Sequence, residues 1–288
     1  MNLAVVGANG MLGQDLNRAA QVRGITMAGF DLPEIDLCRP DSLAVLPAVD
    51  AVINCAAYTR VDDAETDREP AWRINAEGAG NLARWCAAHA VPLIHISTDY
   101  VYNGRKGSPY VETDETDPLS YYGQSKLGGE VEVQRAGGKT CIVRTQSLYG
   151  LGGRNFVKAI LNQILKGKTE LTVVSDQVSC PTYTLHLAEG LLNLIQAQAT
   201  GVVHLAAAGG CSWHEFACAI VEEVGAAVDV KPMHASSLNY PAPRPAYSVL
   251  DTSRYQSLTH ATMPTWRQGL QAYLEEEPMV VELKQSNG

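Results

Sequence analysis

The sequence predicts an α/β protein: a doubly wound parallel sheet of the Rossmann type with a smaller, partly interleaved C-terminal substrate domain. Short apolar runs alternate with longer helical patterns over the first 144 residues. The runs lack strict apolar–polar alternation, which is typical of parallel strands covered on both faces. Glycines follow the first run directly and open a helix. Repeated strand–helix–strand units require right-handed crossovers, so a doubly wound sheet is favoured.

The predicted elements fall into two parts. In the first, strands are expected at 3–6, 26–30, 51–55, 92–97 and 140–144, and helices near 11–23, 69–90 and 120–135. In the second, helices are expected near 155–166, 185–196, 213–223 and 265–275, strands at 171–174 and 202–205, and a stiff extended turn at 241–245. We therefore predict a dinucleotide-binding domain at 1–147, completed by parts of 183–208, and a mainly substrate-binding domain at 148–288.

Composition narrows the class of protein. The 288 residues include 22 Lys and Arg against 31 Asp and Glu, a net charge of −9. Nucleic-acid-binding proteins usually present positive charge, so no nucleic-acid partner is expected. Seven cysteines without a C-x-x-C pair are typical of free thiols in a reducing compartment. No apolar run approaches the ~20 residues of a membrane span, and the first residues do not resemble a signal peptide. We expect a cytoplasmic protein with no membrane partner.

A glycine-rich turn follows the first predicted strand. Glycines allow a tight turn and let backbone N–H groups approach a pyrophosphate, and the helix N-terminus adds a favourable dipole. The order strand, glycines, helix is the one that this function requires. The predicted cofactor-binding residues in this turn are Gly7, Asn9, Gly10, Met11, Leu12 and Gly13.

An acidic residue ends the second predicted strand. Asp31 stands 24 residues after Gly7, where a carboxylate can accept hydrogen bonds from ribose hydroxyls and would repel a 2′-phosphate. No arginine adjoins it in sequence. The expected cofactor is therefore NADH or NADPH, with NADH favoured.

A tyrosine and a lysine begin the third long helical pattern. Tyr122 and Lys126 have the i, i+4 spacing that puts both side chains on one face, whereas Tyr121 should point elsewhere. A neighbouring ammonium is expected to lower the pKa of the phenol, which is near ~10 in water. Thr98 ends the fourth predicted strand, at the edge where an open α/β sheet binds ligands. Its hydroxyl is expected to share the substrate oxygen with Tyr122.

Together these residues resemble the extended short-chain dehydrogenase/reductase family, and within it the dTDP-4-dehydrorhamnose reductases. The resemblance spans residues 1 to about 275. Two motifs are specific to the narrower group only in combination. They are Ser97-Thr-Asp-Tyr-Val and Tyr122-Gly-Gln-Ser-Lys-Leu. The other segments that carry it are 7–13, 54–59, 61–65, 118–121, 143–145, 176–177, 181–182, 244–245, 248 and 250–251.

The resemblance implies a reaction and roles for individual residues. It implies hydride transfer from NAD(P)H to the 4-keto group of a nucleotide-linked 6-deoxyhexose, most simply dTDP-4-dehydro-L-rhamnose. Tyr122 would donate the proton, Lys126 would bind the nicotinamide ribose, and Thr98 would tune the reaction. Further implied cofactor contacts are Asp36, Leu37, Ala57, Tyr58 and Thr59, and the implied substrate contacts are Thr98, Asp99, Tyr100, Tyr122 and Ser147.

One departure from the family pattern lies at Ser147. The family often carries tryptophan there, in contact with the sugar, whereas this chain has Arg144-Thr-Gln-Ser147. The exact nucleotide and hexose are therefore left open. Two other functions also remain open: a nucleotide-sugar epimerase or dehydratase of the same superfamily, and a non-catalytic cofactor-binding regulatory subunit. A homodimer is compatible with the sequence.

Several other polar residues receive structural interpretations. The seven histidines show no metal-ligand spacing, so no metal site is predicted. The acidic residues Asp62, Asp63 and Glu65 are interpreted as a solvated loop or helix start, with a substrate-side contact as the alternative. Asn75 is expected to be structural. The run of three glutamates at 275–277 is interpreted as a frayed helix end.

Overall fold

The structure, a computed structural model, describes residues 1–286 as alternating strands and helices. The strands are β1 (Asn2–Val6), β2 (Thr26–Phe30), β3 (Ala51–Asn54), β4 (Leu93–Thr98), β5 (Thr140–Thr145), β6 (Leu148–Tyr149), β7 (Glu170–Val174), β8 (Val178–Ser179), β9 (Thr182–Tyr183), β10 (Gly201–His204), β11 (Cys211–Ser212) and β12 (Asp229–Met233). The helices are α1 (Met11–Val22), α2 (Arg68–Trp72), α3 (Ala79–Ala88), α4 (Tyr121–Ala136), α5 (Phe156–Leu165), α6 (Thr184–Gln196), α7 (Trp213–Glu223), α8 (Ser253–Thr259), α9 (Trp266–Glu276) and α10 (Pro278–Ser286).

Six strands form one parallel sheet in the order β2-β1-β3-β4-β5-β10. The chain leaves β1 toward β2 on one side and then returns to place β3 on the other side. This reversal between β1 and β3 opens a crevice at the carboxyl ends of the strands, where doubly wound folds bind their ligands. The predicted Rossmann-type sheet is confirmed.

The sheet is covered on both faces, as the continuous apolar strands predict. Leu3 and Val5 pack with α1 and α6, whereas Ala4 and Val6 point the opposite way and pack with α3. Successive side chains of a strand alternate between faces, so burial on both sides requires an unbroken apolar run.

The C-terminal part forms a further apolar core around α5, α7 and α9. Phe216, Leu270 and Tyr273 are fully or almost fully buried there. The segment 183–208 supplies α6 and β10 to the central sheet, so the two parts of the chain interleave. The domain boundary at 147 stays a prediction.

The helix expected near 69–90 is interrupted. Residues 73–78 form a π-helical turn between α2 and α3. A Cβ on Gly129 of α4 would overlap the carbonyl oxygen of Asn75, so α4 packs against this turn at backbone distance. π-Helical turns are common at functional sites, and this one places Asn75 under the loop that follows β3.

The acidic end of α9 was wrongly expected to be frayed. Glu277 is 2% exposed, accepts a 2.5 Å hydrogen bond from the Tyr273 hydroxyl and lies 3.6 Å from Lys158 Nζ. Helix α10 begins at the next residue, and the sequence pattern did not indicate that helix. Within residues 1–286, no helix combines the length and the apolar character that crossing a membrane requires.

Candidate active site

One large cavity, of about 1190 Å³, lies along the carboxyl ends of β1 to β5. It extends from the loop after β2, across the glycine turn, to the segment that follows β5. Both its position at the strand-order reversal and its elongated lining are suited to a dinucleotide and a second ligand together.

The glycine turn meets the requirements for binding a diphosphate. Gly7 has φ +83°, and a Cβ on it would come within 2.6 Å of the Ala56 backbone nitrogen. Gly10 begins α1 without a side-chain cap, so N–H groups of the first turn stay available. Among the described residues, only the Gly7 carbonyl oxygen would lie within 4 Å of a Cβ on Gly10. The N–H groups of residues 7–10 are paired within the fold, so the free backbone donors are those of the first turn of α1, at the positive end of the helix, which fits a pyrophosphate.

Asp31 lies at the far end of the cavity from the sheet centre. Its carboxylate accepts hydrogen bonds from the backbone N–H groups of Asn9, at 3.0 Å, and Leu32, at 2.9 Å. These contacts anchor it beside the glycine turn, where it lines the cavity. Arg73, which is distant in sequence, lines the same cavity from the π-helical turn.

The first turn of α4 brings Tyr122 to the end of β4. The Ser120 hydroxyl caps the helix by accepting the Gly123 N–H at 3.2 Å. A Cβ on Gly123 would overlap the carbonyl oxygen of Tyr100, so only glycine allows this close approach. As a result the ring of Tyr122 packs edge-on to that of Tyr100, with centroids 5.6 Å apart.

Lys126 is buried one helical turn further along. It is 2% exposed, and its Nζ donates a 2.6 Å hydrogen bond to the carbonyl oxygen of Ile96 in β4. Burial lowers the pKa of its ammonium from 10.5 to about 8, and the negative charge of Glu130 opposes that change. Lys126 therefore remains largely protonated at neutral pH and fixes α4 to the sheet.

The expected lowering of the pKa of Tyr122 is absent. Burial raises the pKa of this phenol to about 12, and the facing Thr98 hydroxyl only partly offsets the rise. The desolvation of the phenolate outweighs the influence of the nearby lysine, whose Nζ is directed to a backbone carbonyl. Tyr122 is therefore a neutral proton carrier, which suits donation rather than abstraction.

Thr98 and Asp99 form a hydrogen-bonded pair at the end of β4. Thr98 Oγ1 donates to Asp99 Oδ1 at 3.1 Å and accepts the Tyr100 N–H at 3.2 Å. The Asp99 carboxyl is 3% exposed. Burial raises its pKa to about 6, while hydrogen bonds from Ser248 and Thr98 act in the opposite direction.

A buried ion pair connects the helix and the strands that carry this site. Arg144 of β5 donates to both carboxylate oxygens of Glu130, at 2.9 and 2.6 Å, and Ser97 donates to the same carboxylate at 2.5 Å. Arg144 also donates to the Tyr102 hydroxyl at 2.5 Å. Such a bidentate pair compensates each buried charge and holds α4, β4 and β5 in a fixed arrangement.

Most predicted site residues lie on the cavity wall. These are Gly7, Gly10, Met11, Leu12, Gly13, Asp31, Asp36, Leu37, Ala57, Thr59, Thr98, Asp99, Tyr100, Tyr122, Lys126 and Ser147. Asn9 and Tyr58 do not lie there. Asn9 is exposed behind the turn, and Tyr58 is 6% exposed, with its hydroxyl donating to Asp67 at 3.0 Å. The cofactor contacts of all these residues stay predictions.

Sequence reasoning missed several residues of the wall, among them Arg73, Thr145, Gln146 and Arg154. Thr145 pairs with Thr98 in neighbouring strands. Because carboxyl ends of parallel strands share one edge, that register could have indicated Thr145 and Gln146. No local pattern indicates Arg73 or Arg154, which enter the cavity from a helical turn and a loop.

The residues that received structural interpretations have buried or paired roles. Asp62 forms a bidentate pair with Arg244, at 3.1 and 2.8 Å, so it is not merely solvated. Asn75 accepts the Tyr58 N–H at 2.8 Å and donates to Ser125 Oγ at 2.9 Å, which ties the loop after β3 to α4. Among the described residues, no cluster of three or more His, Cys, Asp or Glu side chains could hold a metal ion.

The parallel sheet, the glycine turn and the Tyr122–Lys126 pair beside Thr98 place the chain among the short-chain dehydrogenases/reductases. A family model described as the RmlD substrate binding domain matches residues 1–279. The dTDP-4-dehydrorhamnose reductase of Mycolicibacterium smegmatis is 40% identical over 274 residues, covering 93% of this chain and 84% of that protein. The chain belongs to the RmlD substrate-binding domain family.

Solved structures show the same relationship. A dTDP-4-dehydrorhamnose reductase ortholog from Clostridium acetobutylicum superposes with a TM-score of 0.90 at 36% identity, covering 96% of this chain and 99% of that chain. The dTDP-4-dehydrorhamnose reductase of Bacillus anthracis in complex with NADP gives a TM-score of 0.91 at 34% identity, with the same coverage. The likeness therefore extends over both parts of the chain.

The buried Asp99 carboxyl predicts a pH-dependent stability. Its folded-state pKa of about 6 lies above the ~4 of an unfolded aspartate. The folded protein therefore retains a proton that the unfolded chain has lost, and stability falls as pH rises from about 4 to about 6. This difference is worth up to roughly 3 kcal/mol. Asp99→Asn should be progressively more stable than wild type across that window, as measured by urea unfolding at several pH values.

The comparison contains its own control. At pH 4 both proteins carry a neutral group at residue 99, so their free energies of unfolding should differ least there. If the two stability curves remain parallel between pH 4 and pH 6.5, Asp99 does not titrate in this range and its assigned pKa is incorrect.

Proposed function

We propose that this chain is a reductase that transfers hydride from NAD(P)H to the 4-keto group of a nucleotide-linked 6-deoxyhexose, most simply dTDP-4-dehydro-L-rhamnose. The observation that carries the proposal is the meeting of Tyr122, Lys126 and Thr98 in one cavity with a glycine cradle. The names of the relatives from M. smegmatis and B. anthracis support the same reaction.

Each residue of this group has a distinct role in the proposal. When bound, the nicotinamide supplies the hydride that reduces the ketone. The Tyr122 phenol, neutral at pH 7 with a pKa of about 12, donates a proton to the developing alkoxide. The Thr98 hydroxyl faces the same oxygen position. It stabilises the charge that forms there when it turns its one proton from Asp99 toward that oxygen. Lys126 binds the ribose, and its ammonium favours the transient phenolate.

Asp99, Tyr100 and Ser147 line the substrate end of the cavity in this proposal. Asp99 and Tyr100 follow Thr98 directly, so they adjoin the carbon that is reduced. The cofactor would occupy the other end, along Gly10, Asp31, Asp36 and Leu37. Glycines allow backbone N–H groups to bind its diphosphate.

A steady consumption of cofactor distinguishes a reductase from an epimerase or a dehydratase. The latter two regenerate their nicotinamide within each cycle, whereas the proposed reaction oxidises one NAD(P)H per sugar reduced. We expect the purified chain to lower the absorbance at 340 nm in a 1:1 ratio with a dTDP-4-keto-6-deoxyhexose. Product formation without net oxidation would favour an epimerase, and cofactor binding without any turnover would favour a regulatory subunit.

Replacing Tyr122 by phenylalanine removes the proposed proton donor and little else. Loss of general acid catalysis typically costs ~10²–10⁴-fold in rate. We expect Tyr122→Phe to lower kcat by about that factor while the Kd for the cofactor changes less than about twofold. Stopped-flow turnover and fluorescence titration with NADH measure the two quantities.

The adjacent tyrosine provides a matched control. Tyr121 lies beside the Arg68 guanidinium and does not line the cavity. Tyr121→Phe makes the same chemical change one residue earlier on the helix, and it should keep kcat close to wild type. A Tyr122→Phe enzyme within tenfold of wild-type turnover would refute the assignment of the proton donor.

We infer further that NADH is preferred over NADPH. The Asp31 carboxylate, held by the N–H groups of Asn9 and Leu32, faces the region where a ribose 2′ position would lie. A fixed carboxylate accepts hydrogen bonds from ribose hydroxyls and repels a 2′-phosphate. Arg73 on the same wall offsets part of this repulsion, so NADPH should still be used.

Exchanging the acidic side chain tests this preference. Asp31→Ser should lower kcat/KM for NADH and raise it for NADPH, shifting their ratio by about tenfold or more toward NADPH. Asp36→Asn, which also changes a carboxylate on the cavity wall, is the matched comparison and should shift the ratio less. An unchanged ratio in Asp31→Ser would show that Asp31 does not determine the choice of cofactor.

A further inference from the structure

The chain changes direction at the substrate end of the cavity, immediately after β5. Ser147 has φ +48°, a left-handed conformation that non-glycine residues rarely adopt. Its hydroxyl shares a 2.9 Å hydrogen bond with Ser179, and its carbonyl oxygen accepts the Thr182 N–H at 3.1 Å. The C-terminal part of the chain thus holds this bend in place. Backbone conformations of this kind are concentrated at ligand sites.

The residue before the bend has a buried donor without a partner. Gln146 is 2% exposed and lines the cavity. Its Oε1 accepts the Cys180 N–H at 3.1 Å, and Ser248 Oγ lies 3.5 Å from the same oxygen. A backbone N–H can only donate, so the amide atom that faces Cys180 must be the oxygen, Oε1. The other atom of the Gln146 amide is therefore the nitrogen, Nε2. Nε2 has no hydrogen-bond partner among the described residues.

The preceding residue carries a second orphaned group among the described residues. Thr145 Oγ1 is also buried without a partner, and Thr145 lines the cavity directly across the sheet from Thr98. An unsatisfied buried polar group typically costs ~1–3 kcal/mol, so each such group in a native protein requires an explanation. Both residues line the cavity at this end, so a bound molecule could supply the missing partners.

The neighbouring charges indicate what kind of group would bind. Gln146 Nε2 can only donate, so its partner must carry an acceptor oxygen. The nearest ionisable group in this network is the buried Asp99 carboxyl, which is connected to Gln146 through Ser248. A phosphate or carboxylate would be disfavoured beside it, whereas a neutral hydroxyl is accommodated. The adjacent Ser147 and Ser179 hydroxyls can each donate and accept, which also suits a sugar hydroxyl.

We propose that Gln146 is a specificity-determining residue whose Nε2 donates to a hydroxyl oxygen of the sugar ring, with Ser147 hydrogen-bonding the same side of the ring. This inference rests on the proposed function, because it assigns the substrate end of that cavity. The site therefore selects keto-hexoses that carry a hydroxyl at this position over analogues that lack it. A hydrogen-bonding site rejects such analogues strongly, since its buried groups then remain unpaired.

Single-hydroxyl analogues test the proposal. The substrates are dTDP-4-keto-6-deoxyhexoses that have or lack the hydroxyl at C2 or at C3. For the parent sugar, Gln146→Met should lower kcat/KM about tenfold or more, mainly through KM, and Ser147→Ala about threefold or more. For the one analogue that lacks the hydroxyl bound by Gln146, Gln146→Met should differ from wild type by less than about twofold. If the effect of the substitution disappears only with that analogue, the side chain contacts the missing hydroxyl directly.

Two measurements separate recognition from a structural role. Gln146→Met also unpairs the Cys180 N–H, so its Tm is measured, whereas Ser147→Ala leaves that contact intact. The KM for NADH should stay unchanged in both variants. An equal loss of kcat/KM on every analogue would overturn the proposal and assign Gln146 a packing role.

A binding assay keeps this proposal independent of turnover. Calorimetric titration of dTDP-L-rhamnose into the protein with NAD⁺ should give a Kd about tenfold weaker for Gln146→Met than for wild type. Absence of turnover combined with that weakening would refute the proposed reaction but retain the role of Gln146. Turnover combined with equal affinities would retain the reaction and refute the role of Gln146.

Discussion

The close approach of helix α4 to the end of strand β4 is the constraint on which the candidate site depends. Gly123 lies against the carbonyl oxygen of Tyr100, and Lys126 Nζ donates to the carbonyl oxygen of Ile96. Both contacts are made to backbone carbonyl oxygens. They therefore determine the distance between helix and strand more rigidly than contacts between side chains would. They place a phenol beside Thr98 at the edge of the sheet where a doubly wound fold binds its ligands.

Burying an ammonium and a phenol in one cavity requires compensating charge nearby. Burial lowers the pKa of Lys126, and Glu130, one turn further along, partly opposes this fall, while Arg144 neutralises Glu130 from the neighbouring strand. The chain of contacts continues through Tyr102 to His204, which are 2.8 Å apart between Oη and Nε2. The C-terminal strand β10 thereby contributes to the electrostatics of a site that lies mostly in the N-terminal part.

The substrate end has a different construction from the cofactor end. Backbone donors and a helix N-terminus line the glycine turn, so that end is largely preformed. At the substrate end, Gln146, Ser147 and Ser179 come from segments on both sides of the interface between the two parts. Gln146 Nε2 has no hydrogen-bond partner among the described residues, so the proposed specificity for the sugar depends on how the two parts interleave.

Local pattern determined the sheet, its glycine turn, the spacing of Tyr122 and Lys126, and the position of Thr98. Each of these follows from strand periodicity, helix geometry or the rule that strand ends share one edge. Only the tertiary structure decided that burial raises the pKa of Tyr122, that Glu277 is buried against Tyr273, and that Arg73 and Gln146 reach the cavity. The desolvation of a group and the pairing of its hydrogen-bonding atoms depend on residues far apart in the chain. No local sequence pattern indicates which of those residues become neighbours.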